Sequence, residues 1–348
     1  MKFYKSILII LIVFFKTGNV LSNDNIFNVN NIELIKKGNI TNQKLVNEAI
    51  KKGFNQLTKN ILLDEDIKKL TQLNFSKIKD LVSYYQVVNK IDDNKNTDSI
   101  IYNISFDKDK LHNLFYKTNI SYSQIVNKEI FLLPILKKNN QIYIYRQNFF
   151  YNKWNDISKN EIIDFILPQE NIEIIQNINK NRSNLLNIEL NNLFEEYTKK
   201  NLALVLIEDT NSSQEKIYFK IKILNKNIVK NIIIKKANLD QEKFYEKIIA
   251  EIRKEIINIV KSQNLIDVRT PSFLNARLSV NKKNNLVEFN KRLKKIDLIE
   301  NIYVQELNNK NIFLKIKYLG KLEKIIKQLN DQKIILKLTG DQWSLKIL

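Results

Sequence analysis

The chain has 348 residues, 44% hydrophobic and 27% charged, with 5 glycines, 3 prolines and no cysteine. That composition excludes a disordered chain, disulfides, thiolate nucleophiles and cysteine-based metal sites. The formal charge is +20, which by itself points to an anionic partner. Arginine, the better fork for phosphate, is confined to Arg146, Arg182, Arg253, Arg269, Arg277 and Arg292, while lysine, asparagine and isoleucine are abundant throughout. The charge therefore reads mostly as the drift of an AT-rich genome.

Met1 to Ser22 has the order of a secretory signal. Lys2 and Lys5 precede an apolar run through Phe15, and Val20-Leu21-Ser22 offers a cleavage site before Asn23. A membrane span needs about 20 apolar residues, and this run is half as long. The expected location is the bacterial periplasm, with membrane attachment only if the segment is kept. Removing Lys2, Lys5 and Lys16 from the 57 basic residues leaves 54 against 37 acidic, or +17.

Leu167-Pro168 and Thr270-Pro271 fall between periodic segments, where proline disfavours helix in the residue before it. Cuts there divide the mature chain into 23–168, 169–270 and 271–348. The fold class expected is α+β, a signal peptide followed by two or three small α/β modules.

The first module opens on the alternating stretch Ile26–Ile35. Thr41 then caps a helix with Leu45, Ala49, Ile50, Leu57 and Ile61 at helical spacing. Asp64-Glu65-Asp66 starts a second helix, where carboxylates favour the positive end. Strands are predicted over Val82–Ile91, Ser99–Phe106, Ile130–Leu136 and Gln141–Tyr145, with a short helix over Asp107–Lys117. Pro134 inside a strand pattern predicts an edge strand or a strand end. Trp154 reads as a core aromatic.

In the second module, strands over Leu202–Ile207, Lys216–Leu224 and Ile228–Lys235 lead to a long helix. Asn238 with Gln241 makes a capping box. Tyr245, Ile248, Ile249, Ile252, Ile256, Ile259 and Val260 form one apolar stripe that predicts packing on the module's own sheet.

The third module reads as a strand over Leu274–Val280, a helix through Phe289 and Leu293, and a hairpin of Ile302–Leu307 with Ile312–Tyr318. A helix through Ile325 and Leu329 and a last full strand over Ile334–Leu338 complete β-α-β-β-α-β, the ferredoxin-like order. Trp343–Leu348 adds a short edge strand.

No motif assembles a recognisable active site, metal site or cofactor site. His112, the one histidine, falls away from Leu111, Leu114 and Phe115 on its helix, predicting a solvated side chain without a positioned partner. Asp92-x-Asn94-x-Asn96-x-Asp98 has the spacing of a calcium loop, but Thr97 and Asn103 stand where glycine and a bidentate glutamate belong. Ser212-Ser213 lacks a nearby histidine and a glycine elbow. Glu195-Glu196 are adjacent on a helix and do not face one another. With five scattered glycines there is no phosphate loop. Tyr84-Tyr85 and Tyr143-x-Tyr145 beside Arg146 suggest a surface for single strands, although tyrosine in strands is common for packing alone.

From Asn31 to Trp154 the chain resembles a family of uncharacterised bacterial periplasmic proteins, domain of unknown function 2066. The likeness rests on the helix around Ala49–Leu57, Leu81-Val82 with Tyr84-Tyr85, and Tyr102-Asn103-Ile104-Ser105-Phe106-Asp107 with Leu111 and Leu114. It continues in Leu132-Leu133-Pro134 leading to Trp154. It implies a periplasmic setting and no catalytic residue. The function expected is non-enzymatic binding or scaffolding in the cell envelope, with other envelope proteins as partners and an anionic envelope polymer as a further one. Nucleic acid is disfavoured by the export signal. Two alternatives stay open: a periplasmic hydrolase or polysaccharide binder whose carboxylates converge in three dimensions, and a membrane-tethered form of the binding protein.

Overall fold

The computed structural model describes residues 25–35, 40–89, 99–125, 128–157, 162–210, 214–223, 226–236, 239–279, 284–308, 310–340 and 342–348. The segment 1–22, the 92–98 loop and Ser212-Ser213 lie outside them. Helix and strand occur in nearly equal share, an α+β fold.

In chain order the elements begin with β1 (Asn28–Ile35), α1 (Asn42–Ile61), α2 (Asp64–Leu70), α3 (Phe75–Asp80), β2 (Val82–Asn89), β3 (Ser99–Phe106), α4 (Lys108–Thr118) and the two-residue β4 (Tyr122–Ser123). Next come β5 (Glu129–Lys138), β6 (Gln141–Tyr143), α5 (Phe149–Lys153), β7 (Asp164–Ile166), α6 (Ile172–Lys180), α7 (Leu190–Leu193), β8 (Asn201–Asp209), β9 (Gln214–Ile223), β10 (Lys226–Lys235) and α8 (Gln241–Gln263). The C-terminal part holds β11 (Leu265–Ile266), β12 (Ser272–Ser279), α9 (Asn284–Leu293), β13 (Ile299–Leu307), β14 (Asn311–Tyr318), α10 (Leu322–Asp331), β15 (Ile334–Thr339) and β16 (Gln342–Ile347). They form two compact units. One comprises the chain through Lys59, Lys68–Tyr122 and Ile266–Leu348; the other comprises Asn60–Ile67 and Ser123–Leu265.

The first unit contains a three-stranded antiparallel sheet in the order β1-β3-β2. Helix α1 buries Leu45, Ala49, Ile50 and Leu57 at the spacing read from sequence, and Phe54 beside them. Gly53 lets the helix approach the sheet: a Cβ there would stand 2.9 Å from Ile32 Cδ1 and 3.1 Å from Ile104 Cδ1. The unit's second sheet has the order β13-β14-β12-β16-β15. Along β12 and β14 buried and less buried residues alternate, the period of a sheet covered on one face. The element order β-α-β-β-α-β is present from β12 to β15. One expectation is overturned: β16 is not an edge strand but lies inside the sheet, parallel to β12 and antiparallel to β15. Leu345, one of its register partners to both, is buried, so the final hairpin folds inward to cover an apolar residue.

The second unit is built on a sheet in the order β10-β9-β8-β5-β6, with β7 also paired to β5. The division expected at Leu167-Pro168 therefore runs through one sheet, since β5 and β6 precede it and β8 to β10 follow. β5 and β8 are parallel and buried on both faces, as parallel strands with helices on each side are. Ile130, Leu132, Ala203, Val205 and Ile207 share a core with Ile248, Ile249, Ile252 and Ile256 of α8. Phe131, Leu133, Leu202, Leu204 and Leu206 share another with Ile174 and Ile178 of α6 and Leu190 and Leu193 of α7. Each of these side chains larger than Ala203 contributes about 1.5–3 kcal/mol when removed from water. The stripe predicted on α8 packs on its own sheet as expected, and Trp154 is fully buried in the same core. The cap is Asp240, which accepts from the Lys243 amide at 2.9 Å and starts the helix at Gln241; Asn238, the expected cap, lies outside the described residues.

Pro134 is neither on an edge strand nor at a strand end. It sits mid-strand in β5 opposite Val205, and on the other side β7 pairs over Glu129–Phe131 and β6 over Leu136–Lys138. The proline falls in the interval between those two short ladders, where a missing N–H breaks no pair. Its carbonyl accepts from Asn148 Nδ2 at 2.8 Å.

Candidate functional site

A buried polar cluster of the second unit stands at the carboxyl ends of β5 and β8, the place where parallel sheets present sites. Lys138 and Asp209 are register partners there. Lys138 Nζ lies 2.7 Å from Asp209 Oδ2 and 3.4 Å from the Tyr245 hydroxyl of α8. Tyr245 in turn donates to Asp209. Glu215, at the start of β9, accepts from the Thr210 amide at 3.0 Å. Both carboxylates are buried, Asp209 to 3% exposure and Glu215 to 1%.

Electrostatics separate the two acids. Burial, followed by the charge and hydrogen bond of Asp209, pushes Glu215 up to about 7. The hydrogen bond to Asp209 holds the Lys138 ammonium above its ordinary value. Burial, then Asp209, raises Tyr245 to about 12, so it stays a donor. The result is a carboxyl that exchanges its proton near neutrality beside a carboxylate neutralised by lysine and tyrosine. Such a group has the acidity of a general acid or base, held in a buried cluster between the strand ends and Tyr245 of α8.

In the first unit a cleft of about 570 Å³ is lined by Ser83, Asp107, Lys108, Asn290, Glu300 and Asn301, among others. Behind it lies His112. The expectation of a solvated histidine is overturned, for its side chain is buried. The face of α4 turned away from Leu111 and Phe115 is covered by residues distant in sequence. His112 stacks on Tyr122 with ring centroids 5.4 Å apart, meets Phe27 edge-on at 5.6 Å, and its Nδ1 is 3.1 Å from Glu300 Oε1. Nε2 is buried and has no hydrogen-bond partner among the described residues. The hydrogen bond from His112, opposed by burial and aided by Lys108, holds Glu300 below the usual glutamate range. No local signal announces this cluster, because its members come from four separate stretches.

The remaining sequence candidates are not brought together. Tyr145 is buried at the start of a 3₁₀ turn with φ 51°, so the strand expected through it ends at Tyr143. Glu195 and Glu196 are exposed on another 3₁₀ turn. Among the described residues no group of three or more His, Asp or Glu is placed to hold a metal ion, and no helix is long and apolar enough to cross a membrane.

What the surface does present is exposed edge strands. On β2, Tyr84, Tyr85, Val87 and Val88 are 60, 47, 45 and 39% exposed. On β13, Tyr303, Val304 and Leu307 are exposed, as are Val229 and Ile233 on β10. All three strands end their sheets.

No protein-family model matches the chain, and no curated protein does. One solved structure, described as an uncharacterized protein, aligns over 40% of this chain and 94% of its own at 6% identity and a TM-score of 0.17. A likeness that slight supports no conclusion on fold or function.

Proposed function

We propose that this chain is an exported protein of the bacterial envelope that binds other envelope proteins through sheet edges and catalyses no reaction. The observation that carries the proposal is β13. It is an edge strand whose residues from Tyr303 to Leu307 are all exposed, with Tyr303, Val304 and Leu307 among them. An extended segment of a partner adds to such an edge through main-chain hydrogen bonds, with side-chain contacts setting specificity. Glu300 precedes the apolar residues and Glu306 stands between Val304 and Leu307, so a basic strand is the favoured partner. The signal-like N-terminus and the resemblance of Asn31–Trp154 to domain of unknown function 2066 support the periplasmic address. The element order from β12 to β15 supports a ferredoxin-like C-terminal module enlarged by β16.

A second reading, a periplasmic hydrolase or polysaccharide binder, is favoured by the Asp209–Glu215 pair and its tuned acidity. A membrane-tethered form would follow from retention of the first 22 residues.

A photoreactive residue at Val304, activated in living cells, separates these. The expected result is a recurrent adduct with one or two envelope proteins, lost in Glu306→Lys, from a chain beginning at Asn23. A chain beginning at Met1 in the membrane fraction supports tethering. Adducts with ribosomal proteins or nucleic acid would overturn the export and binding reading.

A further inference from the structure

An exposed strand edge is a template for pairing, and proteins guard it with charge, proline or a bulge. Most edges here are guarded. β1 carries Glu33 and an irregularity between Val29 and Ile32. β10 carries Lys226, Lys230 and Lys235, β13 carries Glu300 and Glu306, and β15 carries Lys337. β2 differs. Over Val82–Asn89 it has no charged residue, in a chain of which 27% is charged. Its one irregularity lies at its start, between Val82 and Tyr84, and the strand then runs in regular register with β3 to Asn89. Ser83 through Val88 are exposed or partly exposed on both faces.

The order of residues along this edge is self-complementary. We propose that β2 pairs antiparallel with β2 of a second copy of this chain, about a two-fold axis through Gln86, joining two three-stranded sheets into one of six strands. Antiparallel pairing about Gln86 sets Tyr84 opposite Val88 of the second copy and Tyr85 opposite Val87. Gln86 meets its own counterpart. Because side chains alternate faces, the Tyr84–Val88 pairs and the glutamines occupy one face and the Tyr85–Val87 pairs the other. Aromatic with β-branched is a favourable cross-strand combination.

Charge selects the same strand. Copies with a large positive charge, +20 for the full chain and +17 from Asn23, repel one another, and in a two-fold contact like charges are brought close. β10 would set lysines against lysines, and β13 glutamates against glutamates. β2 sets no charge against any. The pairing does not depend on which partner takes β13.

The test uses the purified protein and its lack of any native thiol. Sedimentation equilibrium should give a dimer mass that falls to the monomer on dilution and that strengthens with added salt, which screens the repulsion. Gln86→Cys should form a covalent dimer under mild oxidation while Val304→Cys, on another edge, stays monomeric. Directly paired antiparallel residues stand about 4.5–5.5 Å apart at Cα, within disulfide range. Gln86→Lys should weaken the dimer at least tenfold with an unchanged circular dichroism spectrum. Mixing it with Gln86→Glu should restore a heterodimer. A protein monomeric at every concentration, or a dimer indifferent to Gln86→Lys, overturns the proposal.

Discussion

Lys138 Nζ lies 2.7 Å from Asp209 Oδ2 and ties together the ends of two parallel neighbours, β5 and β8. The contact leaves Glu215 as the odd group of the cluster. Asp209 has a lysine and a tyrosine beside it, whereas Glu215 has the Thr210 amide and the unfavourable charge of Asp209 itself. A buried ion pair of this kind fixes geometry more than it adds stability, and the acidity of Glu215 is the measurable consequence.

That acidity gives a stability profile of definite sign. Glu215 is raised from an ordinary 4.5 to about 7 in the folded chain. Below 4.5 both states hold the proton and nothing is lost. Between there and about 7 the unfolded chain gives up its proton first, so folding stability falls as pH rises, by on the order of 3 kcal/mol across the window. Lys138, Tyr245 and Lys236 face the cluster as well, and acids elsewhere with lowered values act in the opposite sense. The difference between the native chain and Glu215→Gln isolates the one group. Urea midpoints measured from pH 4.5 to 8 should lie close together at the acid end, where Glu215 holds its proton and resembles the neutral Gln, and separate towards the alkaline end as the native chain loses stability relative to Gln. A constant difference would show that Glu215 is not perturbed.

Arg253 offers a second test, independent of pH. It is buried on α8, donates to the Trp154 carbonyl at 2.8 Å, and places its guanidinium 4.6 Å from the Phe165 ring centroid and 5.6 Å from that of Trp154. Arg253→Met keeps the apolar stem but leaves a buried carbonyl without this donor and removes the cation–π contacts. The expected loss is about 2–4 kcal/mol. Arg253→Lys should recover less than half, because a compact, strongly hydrated ammonium replaces the planar, weakly hydrated guanidinium beside the two rings. Denaturation followed by tryptophan fluorescence reads both, since Trp154 is fully buried while Trp343 is not.

Where local periodicity governs, the sequence was a sufficient guide. The α8 stripe from Tyr245 to Val260 and the burial of Trp154 needed no knowledge of partners. Nothing near His112 in the chain marks it as buried, because its cover includes Phe27 and Glu300, the latter 188 residues away, besides Tyr122. The interior place of Pro134 is not legible locally, because an interval between two short ladders leaves no mark in the chain. β16 looked like an appendage because its neighbours β12 and β15 are set by pairing, not by its own pattern. Asp209 and Glu215 are near in sequence, yet their chemistry depends on Lys138 and Tyr245, each brought by another element.

Asn148 makes the interval at Pro134 tolerable, and removing it should show how much. The side chain is fully buried. Its Oδ1 accepts from the Phe150 amide at 3.0 Å, capping α5, while its Nδ2 donates to the Pro134 carbonyl at 2.8 Å. Asn148→Ala removes a cap worth about 1 kcal/mol and strands a buried carbonyl at about 1–3 kcal/mol more. Asn148→Asp keeps the cap acceptor and loses the donor, so it should be the worse of the two, with a carboxylate set against a carbonyl. Equal stability of Asp and Asn at that position would mean the Pro134 contact contributes nothing.

Gly53 tests how closely α1 lies on its sheet. The added methyl of Gly53→Ala would stand 2.9 Å from Ile32 Cδ1 and 3.1 Å from Ile104 Cδ1, both ends of flexible side chains but both fully buried. Two effects oppose. Alanine in a helix interior gains about 1 kcal/mol over glycine, and overpacking a core costs about 1–3 kcal/mol. Rotation of the isoleucine ends can relieve a single methyl, so Gly53→Ala should fall within about 1 kcal/mol of the native chain. Gly53→Val cannot be relieved in the same way, for its branches would push α1 off β1 and β3. It should lose more than about 2 kcal/mol and broaden the unfolding transition. A valine variant as stable as the alanine one would mean that α1 stands further from the sheet than these distances place it.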